Sequence, residues 1–502
     1  MTPREEKATV SSGVERFEFA PGFEISRVLT GLWQIADMER DGSQTDLDDA
    51  AHEMGRYVAS GLTTFDMADH YGSSELVAGR YEQQWPDTAQ LITKWVPKPG
   101  PVTPQSVREA VELACRRIGR EQLDLLQFHA WSYSDPGWLD CMFELQALKD
   151  EGLIRHLGLT NTDTVHLRML LDSGIEIASN QVSYSLLDQR ARGAMTDLCR
   201  ERGVRLLAFG TVAGGFFTRR WLGAPEPGPA DLQTWSQMKY KRFIDSAGGW
   251  SAFQSLLSTV AAVAERSRVS VANVACRYIL EAPAVAGIIV GARLGRSDHV
   301  ADNLALFRFT LDAEGREAIA AALGGLEAIH GDCGDEYRTE PFLTAAGDLS
   351  DHFDDFPAPY LTDRGSDGRM RAASGTVWED LAGFSRAVRK GNRILVSGTT
   401  ATHGDRLIGG SDAGSQTHFI IDKIEGAIRS LGGRLQDVVR TRLYVPSPEA
   451  WEPVSRAHGA RFSEIRPANT LVAAALVGDG YLVEMEAEAM IDDDGPTHVT
   501  GY

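Results

Sequence analysis

Positive charge is scarce in this sequence. Its 50 lysine and arginine side chains stand against 70 aspartate and glutamate side chains, which gives a net charge of -20 near neutral pH. Such a surface repels the phosphate backbone of nucleic acids and anionic membranes. We therefore expect neither nucleic acid nor a membrane as a partner, although a single anionic small molecule needs only a few local donors.

Cysteine and long apolar runs are also rare. The five cysteines are scattered, odd in number and without CxxC spacing, so they indicate neither a disulfide framework nor a zinc site. The most apolar stretch, Val271 to Ala292, is interrupted by Arg277 and Glu281 and does not resemble a membrane span. The first residues, MTPREEKATV, lack the apolar segment of a signal peptide. We expect a cytoplasmic protein.

Three common motifs are missing as well. No GxGxxG or GxxxxGK[ST] sequence occurs, and His52-Glu53 lacks the second histidine of HExxH. These absences argue against a Rossmann dinucleotide domain, a P-loop nucleotide hydrolase and a zinc protease. No metal is expected.

The 502 residues suffice for two or three domains, and 43% apolar with 24% charged residues is typical of globular proteins. We place a first domain at residues 16–343 and a second at 374–492. Residues 344–373 are dense in Asp, Gly, Pro and Ser, which is typical of a linker.

The first domain alternates short β-rich runs with helical patterns, which favours a closed parallel (β/α)8 TIM barrel of the α/β class; a doubly wound open sheet is the alternative. Two segments flanking Pro21-Gly22, Arg16–Phe19 and Phe23–Ser26, predict a hairpin that covers one end of the barrel. The eight runs are Val28–Leu32, Thr63–Met67, Leu91–Trp95, Leu123–Phe128, Arg155–Leu159, Ile175–Ser179, Val204–Phe209 and Ala286–Val290.

The second domain is predicted to be a compact α+β unit of mixed sheet and two helices. Its predicted elements are strand Arg393–Ser397, helix Gln416–Leu431, strand Val438–Val445, helix Pro448–Ser463, and strands Thr470–Val477 and Leu482–Met490.

Polar residues gather where the barrel strands end, which is where the catalytic groups of such barrels lie. They come after or at the end of six runs, and they are Asp66, Lys94, His129, Thr160, Asn161, Gln181 and Gly291 to Arg293.

The segments FDMADHYGSSE, ITKW, LLQFHA, GLTN, NQVSYSLLD and GAR...DN resemble the aldo-keto reductase family over about Arg16 to Leu343. The resemblance implies a catalytic set, for which this chain has Asp66, Tyr71, Lys94 and His129. It also implies NADP(H) as the cofactor and a small-molecule carbonyl as the substrate.

Carbonyl reduction needs these residue types. The alkoxide formed by hydride transfer must be protonated, for which Tyr71 is the acid. A neighbouring ammonium, from Lys94, lowers the pKa of a phenol, and Asp66 neutralises the buried lysine. A neutral His129 is expected to donate a hydrogen bond to the carbonyl oxygen.

Cofactor and substrate contacts also follow from the resemblance. Thr160, Asn161 and Gln181 would hold the nicotinamide carboxamide, and Phe209 would stack on its ring. Gly291 begins the segment in which Arg293 would meet the adenosine 2′-phosphate, a contact that favours NADP over NAD; Arg296 could assist. Asp302 and Asn303 would lie near the adenine. Four aromatic residues would form the substrate mouth, namely Trp33, His70, Trp95 and Trp131.

The rear segments FSRAVRKGNRILVSGTT, DVVRTRLYV, RPANTLVAAALV and LVEMEAEAM resemble the reactive-intermediate deaminase (RidA, YjgF) family. The resemblance implies a fold of the chorismate-mutase type, a trimer, and ligand clefts between subunits that contain Ser397, Gly398 and Glu484. The active members have an arginine where this chain has Asn469, so the anchor for a substrate carboxylate is absent.

Two interpretations of the rear domain stay open. It is either a trimerising or ligand-binding module, or a catalytic partner that hydrolyses an imine or enamine. For the barrel, a cofactor-sensing role with little turnover is the alternative to a reductase, and the intact set of four residues argues against it.

Overall fold

The structure is a computed structural model that describes residues 10–11, 13–98, 100–339, 342–344 and 357–491. At the front, β1 pairs with β2 and β2 with β3, all antiparallel. These strands are β1 (Val10–Ser11), β2 (Val14–Ala20) and β3 (Phe23–Ser26).

The hairpin of β2 and β3 closes the amino end of a barrel, as predicted. Phe19, Phe23 and Ile25 are buried against inward-facing barrel side chains such as Leu125 and Leu207. The guanidinium of Arg155 donates to the backbone oxygen of Gly22 at 2.7 Å and holds the turn in place.

Eight parallel strands form a closed barrel in the order β10-β11-β4-β5-β6-β7-β8-β9. Closure is made where Ile288 of the last strand pairs with Val28 of the first, so the barrel prediction is confirmed and the open-sheet alternative is wrong. The strands are β4 (Val28–Gly31), β5 (Thr64–Asp66), β6 (Gln90–Trp95), β7 (Leu123–Phe128), β8 (Ile154–Thr160), β9 (Ser179–Ser183), β10 (Arg205–Phe209) and β11 (Val285–Gly291).

The sixth strand was predicted too early in the chain. It is Ser179–Ser183, not Ile175–Ser179. Ile175 and Ile177 are buried in the layer between barrel and helices and precede the strand. The strand itself is SNQVS and wholly buried. Gln181 faces the cavity inside the barrel, whereas Asn180 contacts Met195 of an outer helix, so polar residues occupy both faces and hydrophobicity does not mark the strand.

Helices cover the barrel outside, and their termini follow local capping rules. For example, the side chain of Thr103 caps the helix that begins at Pro104, and that helix ends at Gly119 in a left-handed conformation. The helices are α1 (Trp33–Glu39), α2 (Leu47–Ala59), α3 (Ser74–Gln84), α4 (Pro104–Ile118), α5 (Gly137–Asp150), α6 (Thr164–Asp172), α7 (Ala194–Arg202), α8 (Trp235–Ser246), α9 (Gly249–Ser267), α10 (Val271–Leu280), α11 (Val300–Ala305), α12 (Ala313–Leu323) and α13 (Asp335–Arg338).

The rear domain is a seven-stranded sheet, in the order β12-β13-β14-β15-β20-β18-β19, with two long helices on one face. Its strands are β12 (Leu361–Arg364), β13 (Met370–Ala373), β14 (Ala387–Lys390), β15 (Arg393–Thr400), β18 (Val438–Val445), β19 (Ala468–Ala473) and β20 (Glu484–Met490), with a small pair β16 (Thr402–His403) and β17 (Arg406–Leu407). Its helices are α14 (Val377–Ala382), α15 (Ala413–Ser430) and α16 (Trp451–Phe462).

Two sequence predictions for this domain need correction. Residues 361–373 are not linker, because β12 and β13 extend the sheet and Tyr360 is buried; the remainder of the predicted linker at 345–356, and the predicted end at Asp492, lie outside the described residues. The strand predicted at Thr470–Val477 spans Ala468–Ala473, and Val477 is 85% exposed beyond it.

The two domains are docked through helices. α15 packs against its own sheet on one side and against α6 of the barrel on the other. A β-carbon at Gly426 would overlap the backbone oxygen of Ser134, so glycine permits the close approach. Among the helices within the described ranges, none combines the length and apolar character needed to cross a membrane.

Candidate active site

A cavity of about 470 Å³ opens at the carboxyl end of the barrel strands. It brings together all four residues of the expected catalytic set and all eight expected cofactor contacts. The lining residues among those expected are Asp66, Tyr71, Lys94, His129, Thr160, Asn161, Gln181, Phe209, Gly291, Arg293, Asp302, Asn303, Trp33, His70 and Trp131.

Trp95 is not among the residues that line this cavity, contrary to the expectation. It is the last residue of β6. Its ring centroid lies 5.7 Å from that of Phe128, in the apolar layer outside the strands. The reason is the alternation of side chains along a strand: Lys94 points into the barrel, so its neighbour points out.

A buried ion pair lies at the centre of the site. The Lys94 ammonium is 2.7 Å from both carboxylate oxygens of Asp66 and donates to the backbone oxygen of Met67 at 2.9 Å. Both side chains are less than 5% exposed. Burial lowers the pKa of Lys94, while Asp66 acts in the opposite direction and favours the charged form.

Tyr71 lies directly above this pair. The Lys94 nitrogen is 4.8 Å from the centroid of the tyrosine ring. Trp33 and His70 pack edge-on against the same ring, at centroid distances of 4.9 and 4.7 Å. The phenol is thereby held over a cation, in a cavity open on one side to a ligand.

Gln181 has a structural contact that the sequence did not show. Its amide donates to Asp66 at 2.7 Å and to the side-chain oxygen of Gln127 at 3.0 Å. It therefore helps to hold the carboxylate that pairs with Lys94, while still lining the cavity.

The contact of His129 with the backbone bears on how its ring could act. Its Nδ1 lies 3.3 Å from the backbone oxygen of Thr160. A carbonyl oxygen can only accept, so Nδ1 carries the proton in this contact. A neutral imidazole would then present a lone pair at Nε2. Donation from Nε2 to a substrate oxygen therefore requires either the other neutral tautomer, without this contact, or the imidazolium form.

Asn161 provides a polar group suited to the carboxamide of a nicotinamide. Its Oδ1 is buried without a hydrogen-bond partner and lies at the cavity. Its backbone has φ of 55°, in the left-handed region that asparagine tolerates. Its backbone nitrogen donates to Gln181 O at 2.8 Å, and its oxygen accepts from Arg338 at 2.6 Å. A fixed acceptor of this kind fits a bound amide.

The far end of the cavity is suited to an anionic group. Arg293 is about one third exposed, lies 3.7 Å from the Asp37 carboxylate, and has a buried Nε without a partner. Asp302 accepts from Ser270 at 3.0 Å and from Asn273 at 3.1 Å, so its side chain is fixed at the cavity edge.

Sequence reasoning missed several cavity residues, among them two that come from distant segments and contact the expected set. Lys239 of α8 lies 5.0 Å from the Phe209 ring and donates to the Tyr337 hydroxyl at 2.7 Å. Tyr337 of α13 lies with its ring 5.4 Å from that of His129. The long interval between the seventh and eighth β-rich runs indicated that extra elements lie there, and α8 is one of them. Nothing in the sequence pointed to Tyr337.

The residues expected in the rear cleft are only partly brought together. Gly398 lies against the Glu484 carboxylate so closely that a β-carbon there would overlap it, and Ser397 donates to Ser385 O at 2.8 Å in the same irregular part of β15. Burial raises the pKa of Glu484. Asn469 is on edge strand β19, separated from β20 by β18, and donates to Thr441 at 2.9 Å.

Comparisons with known proteins agree with this architecture. Residues 27–323, more than half of the chain, match the family model of the aldo/keto reductase family, and residues 377–491 match that of endoribonuclease L-PSP. The NADH-specific methylglyoxal reductase of Escherichia coli is 24% identical over 57% of this chain and 91% of its own length. An uncharacterized protein of Streptomyces coelicolor is 38% identical over 25% of this chain and 93% of its own.

Solved structures are similar to each part. A glycerol dehydrogenase from Gluconobacter oxydans shares 22% identity, covers 63% of this chain and 96% of its own, and superposes with a TM-score of 0.52. A Mycobacterium tuberculosis member of the YjgF/YER057c/UK114 family shares 40% identity over 24% of this chain and 99% of its own, with a TM-score of 0.23. The chain belongs to the aldo/keto reductase family through its barrel and carries a RidA (YjgF)-like domain behind it.

Proposed function

We propose that the barrel is an NADP(H)-dependent oxidoreductase that reduces the carbonyl of an aldehyde, ketone or sugar, with Tyr71 as the proton donor. The observation that carries this proposal is the buried Lys94–Asp66 pair, whose ammonium lies 4.8 Å from the Tyr71 ring at the base of the cavity. A tyrosine held over a buried cation is suited to stabilising a phenolate.

Each residue has a defined task in this proposal. NADPH, when bound, supplies the hydride. Asn161 and Thr160 hold the carboxamide, and Phe209 supports the ring face. Tyr71 donates its hydroxyl proton to the oxygen of the reduced carbonyl, and Lys94 stabilises the phenolate that remains. His129 donates from Nε2 to the same oxygen and polarises the carbonyl.

The first experiment is to measure NADPH and NADH oxidation by the whole chain with aldehydes, ketones, sugars and pyridoxal. Methylglyoxal belongs in the panel because the Escherichia coli relative is named for it. Turnover of a carbonyl compound supports the reductase. Tight NADPH binding with no turnover of any compound would instead favour the cofactor-sensing alternative.

The preference for NADP rests on Arg293 and gives a separate prediction. Arg293→Ala is expected to raise the dissociation constant of NADPH by about 10- to 100-fold, because it removes a charge-assisted contact to the 2′-phosphate. Binding of NADH, which lacks that phosphate, should change by less than about threefold. Fluorescence titration measures both.

Arg296→Ala is the matched control for the Arg293 variant. The sequence suggested that Arg296 could assist Arg293, but Arg296 is exposed and is not one of the residues that line the cavity, so no phosphate contact is proposed for it. Its removal is expected to leave both affinities unchanged. An equal loss of NADPH and NADH affinity in Arg293→Ala would contradict the proposal that Arg293 contacts the 2′-phosphate. A preference for NADH is the alternative to test, because the Escherichia coli relative is named as NADH-specific.

For the rear domain we propose self-association in preference to catalysis. The sheet face opposite α15 and α16 exposes apolar side chains, including Leu395 at 47% and Met490 at 46%. It also contains charges of both signs, among them the pair Arg393–Glu488 at 2.6 Å. The cleft residue Asn469 lies away from Glu484 within one chain and lacks the charge of an arginine anchor.

Self-association predicts that the chain is a trimer at micromolar concentration and that Leu395→Asp makes it monomeric, because a carboxylate would be buried beside Glu488. Light scattering after gel filtration gives the mass. Trp451→Asp, an exposed apolar residue on the helix side, is the control and should remain trimeric. A monomeric unmodified chain would contradict the proposal, and hydrolysis of 2-iminopropionate would favour the catalytic alternative.

A further inference from the structure

A histidine at the contact between the two domains lies between two carboxylates. His166 Nδ1 is 2.7 Å from Asp163, which caps its own helix α6, and its Nε2 is 2.9 Å from Asp422 of α15. All three side chains are less than 10% exposed. Asp422 also accepts from Arg461 of α16 at 2.5 Å. The rear domain thus contributes one carboxylate to a charge network buried against the barrel.

A stack of rings continues from this histidine toward the candidate active site. The Tyr133 ring lies parallel to that of His166, with centroids 3.4 Å apart and planes 11° apart. On the same tyrosine the guanidinium of Arg338 lies 4.4 Å from the ring centroid. Arg338, Tyr133 and His166 therefore contact one another in series.

Arg338 connects the stack to two parts of the cavity. Its guanidinium donates to the backbone oxygens of Asn161 and Ala130. It follows Tyr337, which lines the cavity. Gly334, at the start of the same short helix, has φ of 87° and lies so close to Asn161 O that a β-carbon would overlap it. The contacts of Arg338 and Gly334 with the backbone oxygen thus fix the position of Asn161.

We propose that the rear domain acts on the barrel as a positioning element: Asp422, through His166, Tyr133 and Arg338, holds Asn161 and the Tyr337 segment in the arrangement that binds the nicotinamide cofactor. The inference rests on the proposed use of that cofactor and adds a regulatory contact from outside the barrel. None of Asp422, His166 or Tyr133 touches the cavity, so each is a positioning residue.

The physical basis is charge balance in a buried site. With both carboxylates present, the imidazolium of His166 is compensated on both nitrogens. If Asp422 loses its charge, the imidazolium is pulled toward Asp163, and the ring can no longer keep both its contacts and its parallel stacking on Tyr133. Interiors are close-packed, so a displaced Tyr133 displaces the guanidinium that rests on it.

The test compares two isosteric variants in the full-length chain. Asp422→Asn is expected to raise the dissociation constant of NADPH by about five- to tenfold, a coupling at the low end of the range for linked sites. Glu425→Gln is the control: Glu425 lies on the same helix and accepts from the same Arg461 at 2.7 Å, but it is not a partner of His166. It should leave the constant unchanged.

A double-mutant cycle separates coupling through the series Asp422, His166, Tyr133 and Arg338, here called the path, from general destabilisation. In an Arg338→Met background, Asp422→Asn should weaken NADPH binding by less than about twofold further, because the path is already broken. Full additivity of the two losses would overturn the proposal. So would an unchanged NADPH affinity in Asp422→Asn.

A second measurement needs no variant and covers the case in which Asp422→Asn does not fold. Coupling is reciprocal, so NADPH must slow hydrogen exchange in α15 of the unmodified chain. Unchanged exchange in α15 with saturating NADPH overturns the proposal while leaving the reductase intact. Failure of the unmodified chain to bind NADPH or NADH would overturn both.

Discussion

Tyr71→Phe is expected to lower kcat for carbonyl reduction by about 10²- to 10⁴-fold, the range for loss of a positioned general acid. The aromatic ring is retained, so its packing against Trp33 and His70 should survive. The dissociation constant of NADPH should stay within about twofold, since Tyr71 has no proposed cofactor contact. Stopped-flow measurement of NADPH oxidation at saturating substrate gives kcat directly.

Tyr240→Phe is the matched control for this prediction. Tyr240 also lines the cavity, is buried, and has no assigned role in proton transfer. The variant should keep kcat within about threefold. Turnover by Tyr71→Phe at close to the unmodified rate would show that another group, or water, protonates the product, and the assignment of the proton donor would be withdrawn.

The barrel and the centre of its site could be predicted from sequence for a simple reason. Parallel strands of a barrel all end at the same rim, so polar residues after successive apolar runs must converge. Asp66 and Lys94 lie near the ends of such runs and His129 follows one, and they do converge on the cavity. The same logic failed for Trp95, whose neighbour Lys94 already occupies the inward position on that strand.

What the sequence could not show depends on contacts between distant segments. Lys239 and Tyr337 are hydrogen-bonded to each other, although they are separated by 98 positions in the chain. His166 and Asp422 are 256 positions apart. Sequence periodicity does not reveal such pairs, because it reports only on neighbours within one helix or strand. The strands at 361–364 and 370–373 were missed because each has only four residues, and the first, at the edge of the sheet, is LTDR with all four side chains exposed.

The second large effect expected is on the free energy of unfolding, which should depend on pH through His166. Asp163 and Asp422 raise the pKa of His166 to about 9 from an ordinary value of 6.5, against the effect of burial. A raised pKa stabilises the folded protein, and this contribution is fully present below about pH 6.5, where His166 is protonated in both the folded and the unfolded state. The contribution is lost as the pH rises through about 9. The loss amounts to about 3 kcal/mol at 1.4 kcal/mol per pKa unit.

The groups around His166 do not mask this change. The pKa of Asp163 is lowered to about 2 and that of Asp422 is also lowered, so both stay ionised over this range. Arg461 keeps its charge, because the acidic groups around it raise its pKa despite burial. Burial lowers the pKa of His418 to about 4, so that histidine stays neutral.

Comparing variants isolates the contribution of His166 from other titrations. Burial lowers the pKa of Lys423 to about 7, which by itself makes stability rise with pH over part of the same range, but it does so equally in every variant. The prediction is therefore that the difference in thermal midpoint between the unmodified chain and His166→Gln is largest at pH 6.5 and shrinks toward pH 9.5. Differential scanning calorimetry measures it.

His403→Gln supplies the control for this experiment. His403 makes another interdomain histidine contact, at 2.7 Å to Asp140, whose side chain is 53% exposed. Solvent screens such a pair, so its loss should shift the midpoint little and leave the pH dependence intact. If His166→Gln kept the same pH dependence as the unmodified chain, the proton on His166 would not stabilise the contact between the domains.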